Sequence, residues 1–567
     1  MRNKILLFLL MVFSLTKTIK AQSPLFIPDT LSGSNISLYL ADSVTHFYSG
    51  FNTHTIGYNG NYLGPTIVLH HGHHVTLQVH NQLTDTTTTH WHGLHVAPVN
   101  DGSPHNVILH GTTWSPSFTV LDKAATYWYH PHLHMKTMQQ VLKGAAGLII
   151  VRDSEEATLN LPRTYGVDDF PLVCQWKTFD ANKQIVLSDD TDNVVMINGT
   201  INGFLNVPAQ MVRFRILNGS SHRFFEFAMN DNRSFKQIGG DESLLNSPVS
   251  MNKFMLGPGE RAEIVVDFSG QSGNTYYLKQ LGTQLPAGYP GGPPDAMGMG
   301  TLAVLDNKDF NILQFNVTAS TTIPNPVTSI PTKLTNNIIT SSINAGTINF
   351  LLQGSPQMSM TNFTINGVQY QPNVINFYTL QDSVMIWNIT NQSMMPHPWH
   401  IHGNHFFVKS INGTTPPANL QGRKDVVVVA PNGGTASIIM KYADFFDPIY
   451  PYMYHCHINS HEDNGMMGQF IVSSRLSSGI NSLVNDEDAI KIFPNPAIAD
   501  WTIKGTSTET LLECKLWNDA GQIIYQKKLE VTAGSYETII PAKHFSSGVY
   551  LLQIIGNTSI QTIKICK

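Results

Sequence analysis

Cysteine is scarce in this chain of 567 residues, which contains only Cys174, Cys456, Cys514 and Cys566. So few thiols exclude a disulfide-rich scaffold, and the fold must be held together by hydrophobic cores instead. Cys514 and Cys566 both fall in the last segment, and the sequence leaves open whether they form a disulfide. Cys456 stands between two histidines, a position that suits a metal ligand.

An excess of charge of either sign is also missing. Lys plus Arg number 34 and Asp plus Glu number 39, which gives a net charge of −5 with histidine neutral. A protein that binds nucleic acid or an anionic membrane usually carries a concentrated positive charge. We therefore expect neither kind of partner.

Long apolar runs are absent beyond the N-terminus. Arg2 and Lys4 precede an apolar run from Ile5 to Leu15, and Ile19-Lys20-Ala21 follows it. This pattern predicts a secretory signal peptide over residues 1–21, with a buried N-terminal helix as the alternative. The run is too short for a permanent membrane helix, and no later stretch approaches the necessary length. We expect no membrane span in the mature protein.

Strand signals dominate the rest of the chain. The segment HVTLQVHN places Val75, Leu77 and Val79 on one face and polar residues on the other. Such alternation is typical of a half-buried β-strand, whereas no long stretch shows the helical period. The sequence predicts an all-β protein.

A weak internal repeat divides the chain into units. In each unit an Asn-Gly turn precedes a β-rich run, and the spacing fits successive β-sandwiches of about 150 residues. The predicted units are residues 22–155, 156–308 and 309–475. The turns are Asn59-Gly60, Asn198-Gly199 or Asn202-Gly203, and Asn366-Gly367.

Histidine is the residue in excess, with 24 copies concentrated around residues 70–134 and 397–461. Residues i and i+2 of a strand project to the same face, so each His-x-His pair can present two imidazoles side by side. Four clusters in specific contexts predict metal ions a few ångströms apart. The clusters are HWH (His90 and His92), HPH (His130 and His132), HPWHIH (His397, His400 and His402) and HCH (His455 and His457).

The last cluster points to copper. Cys456 is followed by His461 and then by Met466, and His397 supplies a second imidazole from the preceding cluster. A thiolate, two imidazoles and a distant thioether form the ligand set of a blue-copper electron-transfer site. Zinc is the main competitor, but structural zinc sites usually contain several closely spaced cysteines. His457 adjoins Cys456 and would bind a different ion on the opposite face of the strand.

These clusters resemble those of the multicopper oxidases, specifically three-domain bacterial laccase-like enzymes akin to the copper-efflux oxidases. The resemblance covers roughly residues 40–475 and implies three cupredoxin-like Greek-key β-sandwiches that bind four copper ions. The type 1 ligands implied are His397, Cys456, His461 and Met466. The type 2 ligands implied are His90 and His400. The type 3 ligands implied are His92, His130 and His457 for one ion and His132, His402 and His455 for the other.

The resemblance also implies a mechanism. A small reducing substrate gives single electrons to the type 1 copper, and Cys456 passes them to the copper ions held by His455 and His457. Dioxygen is then reduced to water. Asp101 and Glu462 occupy positions where the copper-efflux oxidases carry acids that relay protons, although a solvated surface carboxylate is the alternative for each.

The remaining histidines are interpreted as structural. The second unit has only the lone His222 after its strand and is predicted to be a spacer without metal. His70, His71, His73 and His74 predict an exposed strand-turn-strand tip, with surface copper capture as the alternative. We expect His95, His134 and His405 to support the ligands or fill space.

The substrate is the least specified feature. Copper-efflux oxidases carry a methionine-rich insert, and here the methionines occur only as pairs, which are more typical of packing. Ser393 stands where an acid could have helped bind a metal cation. We therefore favour laccase activity on phenols or aromatic amines. The alternatives are Cu(I) oxidation, copper electron transfer without oxygen chemistry, and, as the poorest fit, a two-domain nitrite reductase. The methionine pairs are Met297 and Met299, Met358 and Met360, and Met394 and Met395.

The end of the chain forms a separate unit. Residues 476–490 are rich in Ser, Asn and Asp and predict a linker. Residues 491–567 include KIFPNPA and SSGVYLLQI and resemble the C-terminal sorting domains of type IX secretion in Bacteroidetes, with a small binding β-sandwich as the alternative. The resemblance implies that the secretion machinery is a partner. It also implies a secreted or cell-surface protein, with the periplasm as a transit or alternative location.

Overall fold

The computed structural model describes residues 22–188, 191–295, 303–322, 325–339, 341–343, 345–354, 362–474, 490–495, 497, 500–518, 522–556 and 560–567. The signal peptide predicted over residues 1–21 lies outside the described residues. So does the predicted linker, apart from Ile490. The chain divides into a large unit, Met1–Val374 with Gln381–Val472, and a small unit, Ile375–Leu380 with Ser473–Lys567.

The first β-sandwich of the large unit consists of two sheets, with strand orders β2-β5-β11-β10-β7 and β4-β3-β6-β8, and β9 also pairs with β6. Leu77, Val79 and Trp91 are fully buried between the sheets, as the alternation in β6 predicts. Strand β1 (Ser23–Pro24) precedes this sandwich in the chain but pairs with a sheet of the second sandwich. The elements of this region are β2 (Thr30–Ser32), β3 (Asn35–Thr45), β4 (Thr53–Tyr58), β5 (Thr66–His70), β6 (His74–Asn81), β7 (His90–His92), β8 (Thr113–Trp114), β9 (Ser117–Thr119), β10 (Ala125–His130), α1 (Thr137–Leu142), β11 (Gly147–Arg152) and α2 (Ser154–Ala157).

The second β-sandwich has strand orders β14-β13-β12-β16-β21-β18-β19 and β1-β15-β23-β22-β17-β20. Its core contains Trp176, Phe214, Phe227 and Phe315, all essentially inaccessible to solvent. The strands are β12 (Asp169–Lys177), β13 (Val194–Ile197), β14 (Thr200–Ile201), β15 (Gly203–Pro208), β16 (Met211–Asn218), β17 (Phe225–Met229), β18 (Phe235–Gly239), β19 (Leu244–Met251), β20 (Lys253–Leu256), β21 (Arg261–Asp267), β22 (Thr275–Leu281) and β23 (Asp309–Thr318).

Strand β23 corrects the boundary expected between residues 308 and 309. It pairs with β15 along Gly203–Pro208 and with β22 along Thr275–Leu281, so it belongs to the second sandwich. The third sandwich therefore begins after Thr318. The spacing of the repeats alone could not show that β23 returns to the sheet of the second sandwich.

The third β-sandwich contains the sheet β25-β24-β27-β31-β29 and the strands β33-β32-β28-β30 in that order. Trp387 and Trp399 are fully buried in it. The elements of this region are β24 (Gly346–Gln353), β25 (Thr364–Ile365), β26 (Phe377–Leu380, part of the small unit), β27 (Val384–Asn391), β28 (His397–Ile401), β29 (Phe407–Ile411), β30 (Val426–Val429), β31 (Gly434–Lys441), β32 (Tyr452–Cys456), α3 (Asn459–Asp463) and β33 (Met467–Ser473).

The repeat predicted from the Asn-Gly turns is a shared structural device. Asn59, Asn198 and Asn366 all have positive φ angles, between 49° and 54°, which asparagine tolerates better than most residues. In each case the Asn side-chain oxygen accepts a hydrogen bond from a strand N–H, at 2.6 to 2.7 Å. The same turn therefore fixes the same corner of all three sandwiches.

The small unit has two sheets, with strand orders β34-β35-β38 and β37-β36-β39-β40. Its core includes the fully buried Trp501, Ile503, Leu516 and Ile540. The strands are β34 (Lys491–Phe493), β35 (Trp501–Thr506), β36 (Leu511–Trp517), β37 (Ile523–Glu530), β38 (Ser535–Ile540), β39 (Val549–Ile555) and β40 (Ile560–Cys566). The part of the chain that the structure describes also contains four short 3-10 helices: Pro98–Asn100, Gly282–Gln284, Ala418–Leu420 and Ala542–His544.

The prediction of an all-β protein is confirmed. Cys514 and Cys566 both carry free thiols, so the structure does not contain the disulfide that the sequence left open. Among the described residues, no helix is long and apolar enough to cross a membrane.

The packing of the small unit can be tested with two neighbouring isoleucines of β38. Ile540 is fully buried and Ile539 is 53% exposed. We expect Ile540→Ala to lower the free energy of unfolding of this unit by about 2–5 kcal/mol, because it removes buried methyl groups and leaves a cavity. The matched Ile539→Ala should change it by less than about 0.5 kcal/mol. Denaturant unfolding would measure both, and equal effects would contradict this assignment of the core.

Candidate metal centre

The four histidine clusters lie on two pairs of adjacent strands or directly after their ends. In the first sandwich, β7 runs antiparallel to β10, so that His90 is opposite His130. In the third sandwich, β28 runs antiparallel to β32, so that His400 is opposite His455 and Trp399 is opposite Cys456. All of these residues are buried. The alternation of side chains along each strand, predicted from the sequence, thus brings the imidazoles together.

One triangle of imidazoles consists of His132, His402 and His455. The Nε2 atom of His132 lies 3.0 Å from Nε2 of His402 and 3.1 Å from Nε2 of His455, and the last two atoms are 3.2 Å apart. Three nitrogen atoms from two sandwiches therefore face a common point. The resemblance assigned these residues to one type 3 ion, and the structure brings all three together.

A second triangle consists of His92, His130 and His457. The Nδ1 atom of His92 lies 3.5 Å from Nε2 of His130 and 3.2 Å from Nε2 of His457. These residues correspond to the other predicted type 3 ion.

His90 and His400 complete an eight-histidine site with the two triangles. The ring of His90 stacks on His402 with centroids 3.7 Å apart, and the ring of His400 stacks on His92 at 3.8 Å. The Nε2 atoms of His90 and His400 are buried and have no hydrogen-bond partner. Together with His92, their ligand atoms lie within 4.8 Å of one another. This is the arrangement expected of the predicted type 2 pair.

A separate cysteine site consists of His397, Cys456, His461 and Met466. The Sγ atom of Cys456 lies 3.2 Å from Nδ1 of His397 and 3.5 Å from Nδ1 of His461, and the two nitrogens are 3.2 Å apart. Met466 is fully buried. Its carbonyl accepts a hydrogen bond from Cys456 N–H and its N–H donates to the His461 carbonyl, which holds Met466 beside both ligands.

The protonation of the rings fits metal ions at these positions. Burial is the main cause that lowers the pKa of nine ligand histidines, to about 3 for His397 and His455. A neutral imidazole carries one N–H and one lone pair, and a metal binds the lone pair. The pKa is lowered well below its usual value for His92, His130, His132, His400, His402, His457 and His461.

Hydrogen bonds on the outer sides of the rings decide which nitrogen keeps its proton. The Nδ1–H of His402 donates to Oδ2 of Asp101 at 2.7 Å, and the Nδ1–H of His455 donates to the Cys456 carbonyl at 3.0 Å. Their Nε2 atoms are then left as lone pairs that face His132. Lone pairs this close repel one another unless a cation lies between them, so the geometry of the site itself fits a metal.

The same logic applies to the thiol. Burial raises the pKa of Cys456, so the thiolate form needs a positive charge beside it. A coordinated metal ion removes the proton from such a thiol. One thiolate and two imidazoles suit copper better than a structural zinc ion.

Asp101 and Glu462 both lie against the eight-histidine site. The Asp101 carbonyl accepts a hydrogen bond from His90 Nδ1–H at 2.9 Å, and its carboxylate binds His402. The carboxylate oxygens of Glu462 lie 3.2 Å from His132 Nδ1 and 3.4 Å from His455 Nδ1. Both acids are fully buried, so the alternative of solvated surface carboxylates is wrong. Burial and then the charge of Asp463 raise the pKa of Glu462 well above its usual value.

Sequence reasoning missed Asp425 and Arg261. Asp425 precedes β30 and contacts two ligands: its carboxylate accepts from His92 Nε2–H at 3.2 Å and its carbonyl accepts from His400 Nδ1–H at 2.9 Å. Arg261 opens β21 in the second sandwich and binds both carboxylate oxygens of Asp425 at 2.6 Å. The segment GPGERAEI carries Arg261 but contains no histidine or cysteine, so a search for metal-ligand patterns passes over it.

The other histidines divide as expected. His70, His71, His73 and His74 are exposed at the turn between β5 and β6. His95 contacts the Gly403 carbonyl and the Asp444 carboxylate. His134 lies beside the ring of Tyr370, His405 is nearly buried, and the ring of His222 lies 6.2 Å from that of His461. Among the described residues, every candidate metal group is drawn from the first and third sandwiches.

Ser393 lies at the outer edge of the cysteine site. Its Oγ is 2.6 Å from Nε2 of His397 and 2.8 Å from Oδ1 of Asn391. Met394 and Met395 are partly buried next to it. The other methionines considered as copper ligands, Met297, Met299, Met358 and Met360, lie outside the described residues.

Comparisons with known proteins agree with this geometry. Family models described as multicopper oxidase match residues 41–156, 175–290 and 345–475, and a secretion system C-terminal sorting domain matches residues 491–567. A multicopper oxidase of Staphylococcus haemolyticus is 33% identical, over 78% of this chain and 89% of the relative. The cell division protein FtsP of Sodalis glossinidius is 29% identical, over 80% and 93%.

Solved structures are similar over the same region. A laccase-like multicopper oxidase from Ochrobactrum is 31% identical with a TM-score of 0.70, and the match covers 79% of this chain and all of the other. A multicopper oxidase from Campylobacter jejuni described as a metallo-oxidase is 25% identical with a TM-score of 0.66, covering 80% and 96%.

Removing the metal should destabilise the large unit. A ligand that binds only the native state adds about 4 kcal/mol when its free concentration is 1,000 times its Kd. We therefore expect the copper-loaded chain to unfold at a higher temperature than the chelator-treated chain in calorimetry. In Cys456→Ser, copper should still raise the unfolding temperature, but by less than in the native chain, because only the contribution of the cysteine site is lost. An unchanged unfolding temperature after copper removal would contradict the assignment of the two sites.

Proposed function

The chain belongs to the multicopper oxidase family, and we propose that it is a laccase-like oxidase of phenols or aromatic amines that reduces dioxygen to water. The observation that carries the proposal is the complete ligand set: twelve buried residues in one cysteine site and one eight-histidine site. Four copper ions bound there would supply the one-electron redox chemistry and the binding of oxygen. A copper protein that only transfers electrons would need the cysteine site alone.

The chain itself connects the two sites. Cys456 belongs to the cysteine site, while its neighbours His455 and His457 each belong to one triangle of the eight-histidine site. One peptide unit joins Cys456 to His455 and another joins it to His457, so two short covalent paths connect the sites. His455 and His457 reach different triangles, so the two paths end at separate points.

The surroundings of His397 favour an organic substrate over a metal cation. A site that collects Cu(I) or another cation gains from a carboxylate next to the type 1 ligands. Here the neighbour of His397 Nε2 is the neutral hydroxyl of Ser393, which is 93% buried and also contacts Asn391. A neutral environment suits phenols and aromatic amines.

Cuprous oxidation is the second candidate. It is favoured by Met394 and Met395, which lie beside Ser393 and are only partly buried. The similarity to a metallo-oxidase supports the same candidate. The relative named as a cell division protein suggests a third role, but the complete ligand set favours an oxidase.

Reduction of oxygen to water consumes protons, and we propose that Glu462 and Asp101 supply them. Burial and the charge of Asp463 raise the pKa of Glu462 well above its usual value, which favours the protonated form that can act as an acid. Glu462 lies beside His132 and His455, whereas Asp101 lies beside His90 and His402. Two acids therefore contact different rings of the eight-histidine site.

The C-terminal sorting domain indicates export through a secretion system. We propose that the type IX system carries the protein to the cell surface or the medium. Deletion of residues 491–567 should then leave active oxidase in the periplasm of a host with this system. Cell fractionation would measure this, and unchanged secretion of the truncated chain would refute the proposal.

The substrate class can be tested by comparing two reductants in air. We expect a larger kcat/KM for a methoxyphenol than for Cu(I), measured by oxygen uptake. Ser393→Asp should raise kcat/KM for Cu(I) about tenfold, because a carboxylate attracts the cation with about 1.4 kcal/mol.

Ser393→Asn is the matched control, since it has the same size as the aspartate variant without the charge. It should leave the Cu(I) value near that of the native chain. A native chain with a larger kcat/KM for Cu(I) than for the phenol would reverse our choice in favour of the cuprous oxidase.

The proton-supply role of Glu462 makes a separate prediction. Glu462→Gln should lower kcat by about 10²- to 10⁴-fold, the usual contribution of a general acid. Reduction of the blue copper by the phenol without oxygen should keep its rate, since this step needs no proton from Glu462. Asp122→Asn changes another buried acid, whose carboxylate accepts from the backbone N–H of His95 at 2.7 Å, and should have a much smaller effect on kcat. A Glu462→Gln variant that retains full kcat would rule out this role.

A further inference from the structure

We propose that Arg261, from the second sandwich, is a positioning residue for the eight-histidine site, and that it acts through Asp425 on His92 and His400. The second sandwich would then help to build the site, although its described residues contribute no ligand to it. This inference rests on the proposed copper centres. It concerns how the ligands are held, which the proposed reaction does not specify.

Arg261 is fixed from all sides. Each of its five guanidinium N–H groups has an acceptor, and the residue is 1% exposed. Two N–H groups donate to Asp425, one to Oδ1 and one to Oδ2. The other three donate to the carbonyl groups of Thr126, Gly259 and Asp241, at 2.9, 3.0 and 2.9 Å. The planar fork of an arginine is the one side chain that can satisfy all five acceptors.

Asp425 transmits this fixed position to two ligands at once. Its Oδ1 accepts the Nε2–H of His92, which leaves His92 Nδ1 free to bind metal. Its backbone carbonyl accepts the Nδ1–H of His400, which leaves His400 Nε2 free. One residue therefore selects the tautomer of a ligand in each of two metal groups, and such outer hydrogen bonds orient ligands and tune metal affinity.

Two glycines beside the Arg261–Asp425 ion pair leave room for close packing. Gly93 directly follows His92 and has a φ of +91°; a Cβ there would lie 2.4 Å from Asp425 Oδ2 and 2.9 Å from Arg261 Nη2. Gly259 has a φ of +85°, and its Cβ would lie 2.9 Å from the ring of His457. The turn that carries Arg261 therefore packs directly against a ligand.

A second set of ion pairs holds the turn in place. Lys424 binds the carboxylates of Asp241 and Glu260 at 2.8 and 3.1 Å, and Asp241 accepts from the backbone N–H of Arg261 at 2.8 Å. Burial by itself lowers the pKa of Arg261, but the negative charges of Asp425 and Asp241 outweigh it, so the pKa is raised and the guanidinium stays charged. Ion pairs between the second and third sandwiches therefore form at Lys424 and Glu260, which are the sequence neighbours of Asp425 and Arg261.

The test measures copper affinity in the full-length copper-loaded chain. Arg261→Lys and Arg261→Gln are titrated with EDTA, with type 2 copper followed by electron paramagnetic resonance and type 1 copper by its blue absorbance. We expect half-removal of type 2 copper at about 10- to 100-fold lower EDTA than in the native chain, the usual effect of losing an outer hydrogen-bond partner. The type 1 copper should be retained as in the native chain.

Arg215→Lys is the matched control. Arg215 is also in the second sandwich, is 1% exposed, and binds both carboxylate oxygens of Asp169 at 2.7 and 2.9 Å. The Arg215→Lys variant should lower the unfolding temperature as the Arg261 variants do, yet leave the affinity for type 2 copper unchanged. If Arg215→Lys weakens type 2 copper as strongly, or if the Arg261 variants lose type 1 and type 2 copper together, the effect is general destabilisation and the inference fails.

Two further outcomes separate this inference from the proposed function. A native chain with four copper ions and Arg261 variants of unchanged type 2 affinity would overturn the inference alone. A native chain that binds only the type 1 copper would overturn the proposed function and, with it, the premise of the inference. The conservative Arg261→Lys variant keeps the positive charge, so a folded protein is available even if the glutamine variant does not accumulate.

Discussion

The structure depends on a set of neutral imidazole rings that direct their lone pairs at one another inside a dry interior. Nitrogen atoms 3.0–3.2 Å apart in the triangle of His132, His402 and His455 repel one another unless a cation lies between them. A ring also keeps its proton on the outer nitrogen more readily where an acceptor faces that nitrogen, as it does for His92, His400 and His402. These two demands explain why buried acids and carbonyl groups surround the rings and why the rings come from rigid neighbouring strands.

The acceptors come from different parts of the chain. Asp101 follows the first histidine cluster, Asp425 lies in the third sandwich, and Glu462 belongs to α3 directly after the cysteine. Arg261 of the second sandwich holds Asp425 in turn. The ligands of the eight-histidine site come from the first and third sandwiches, whereas the ligands of the cysteine site all belong to the third. The second sandwich is connected to the chemistry through hydrogen bonds instead of ligands.

Sequence reasoning succeeded where local periodicity decides the geometry. Local periodicity places the two imidazoles of each His-x-His pair on one face of a strand. The grouping of the ligands into separate copper sites came from the resemblance to the multicopper oxidases. Sequence reasoning failed where residues distant in the chain meet: Asp425 and Arg261 are 164 positions apart, and no local pattern connects them. The end of the second sandwich was misplaced for the same reason, since β23 returns to strands far behind it. The burial of Asp101 and Glu462 likewise depends on packing between sandwiches.

The triplet His455-Cys456-His457 has a consequence for how this protein can change over generations. Its three side chains serve two sites because they alternate between the faces of one strand end. An insertion or deletion of a single residue here would turn every later side chain to the wrong face and disable both sites together. The number of residues between these ligands therefore cannot change for one site without changing for the other. Homologous recombination inside this triplet would have to preserve its length. The loops between the sandwiches carry no such restriction, so variation in length should accumulate there.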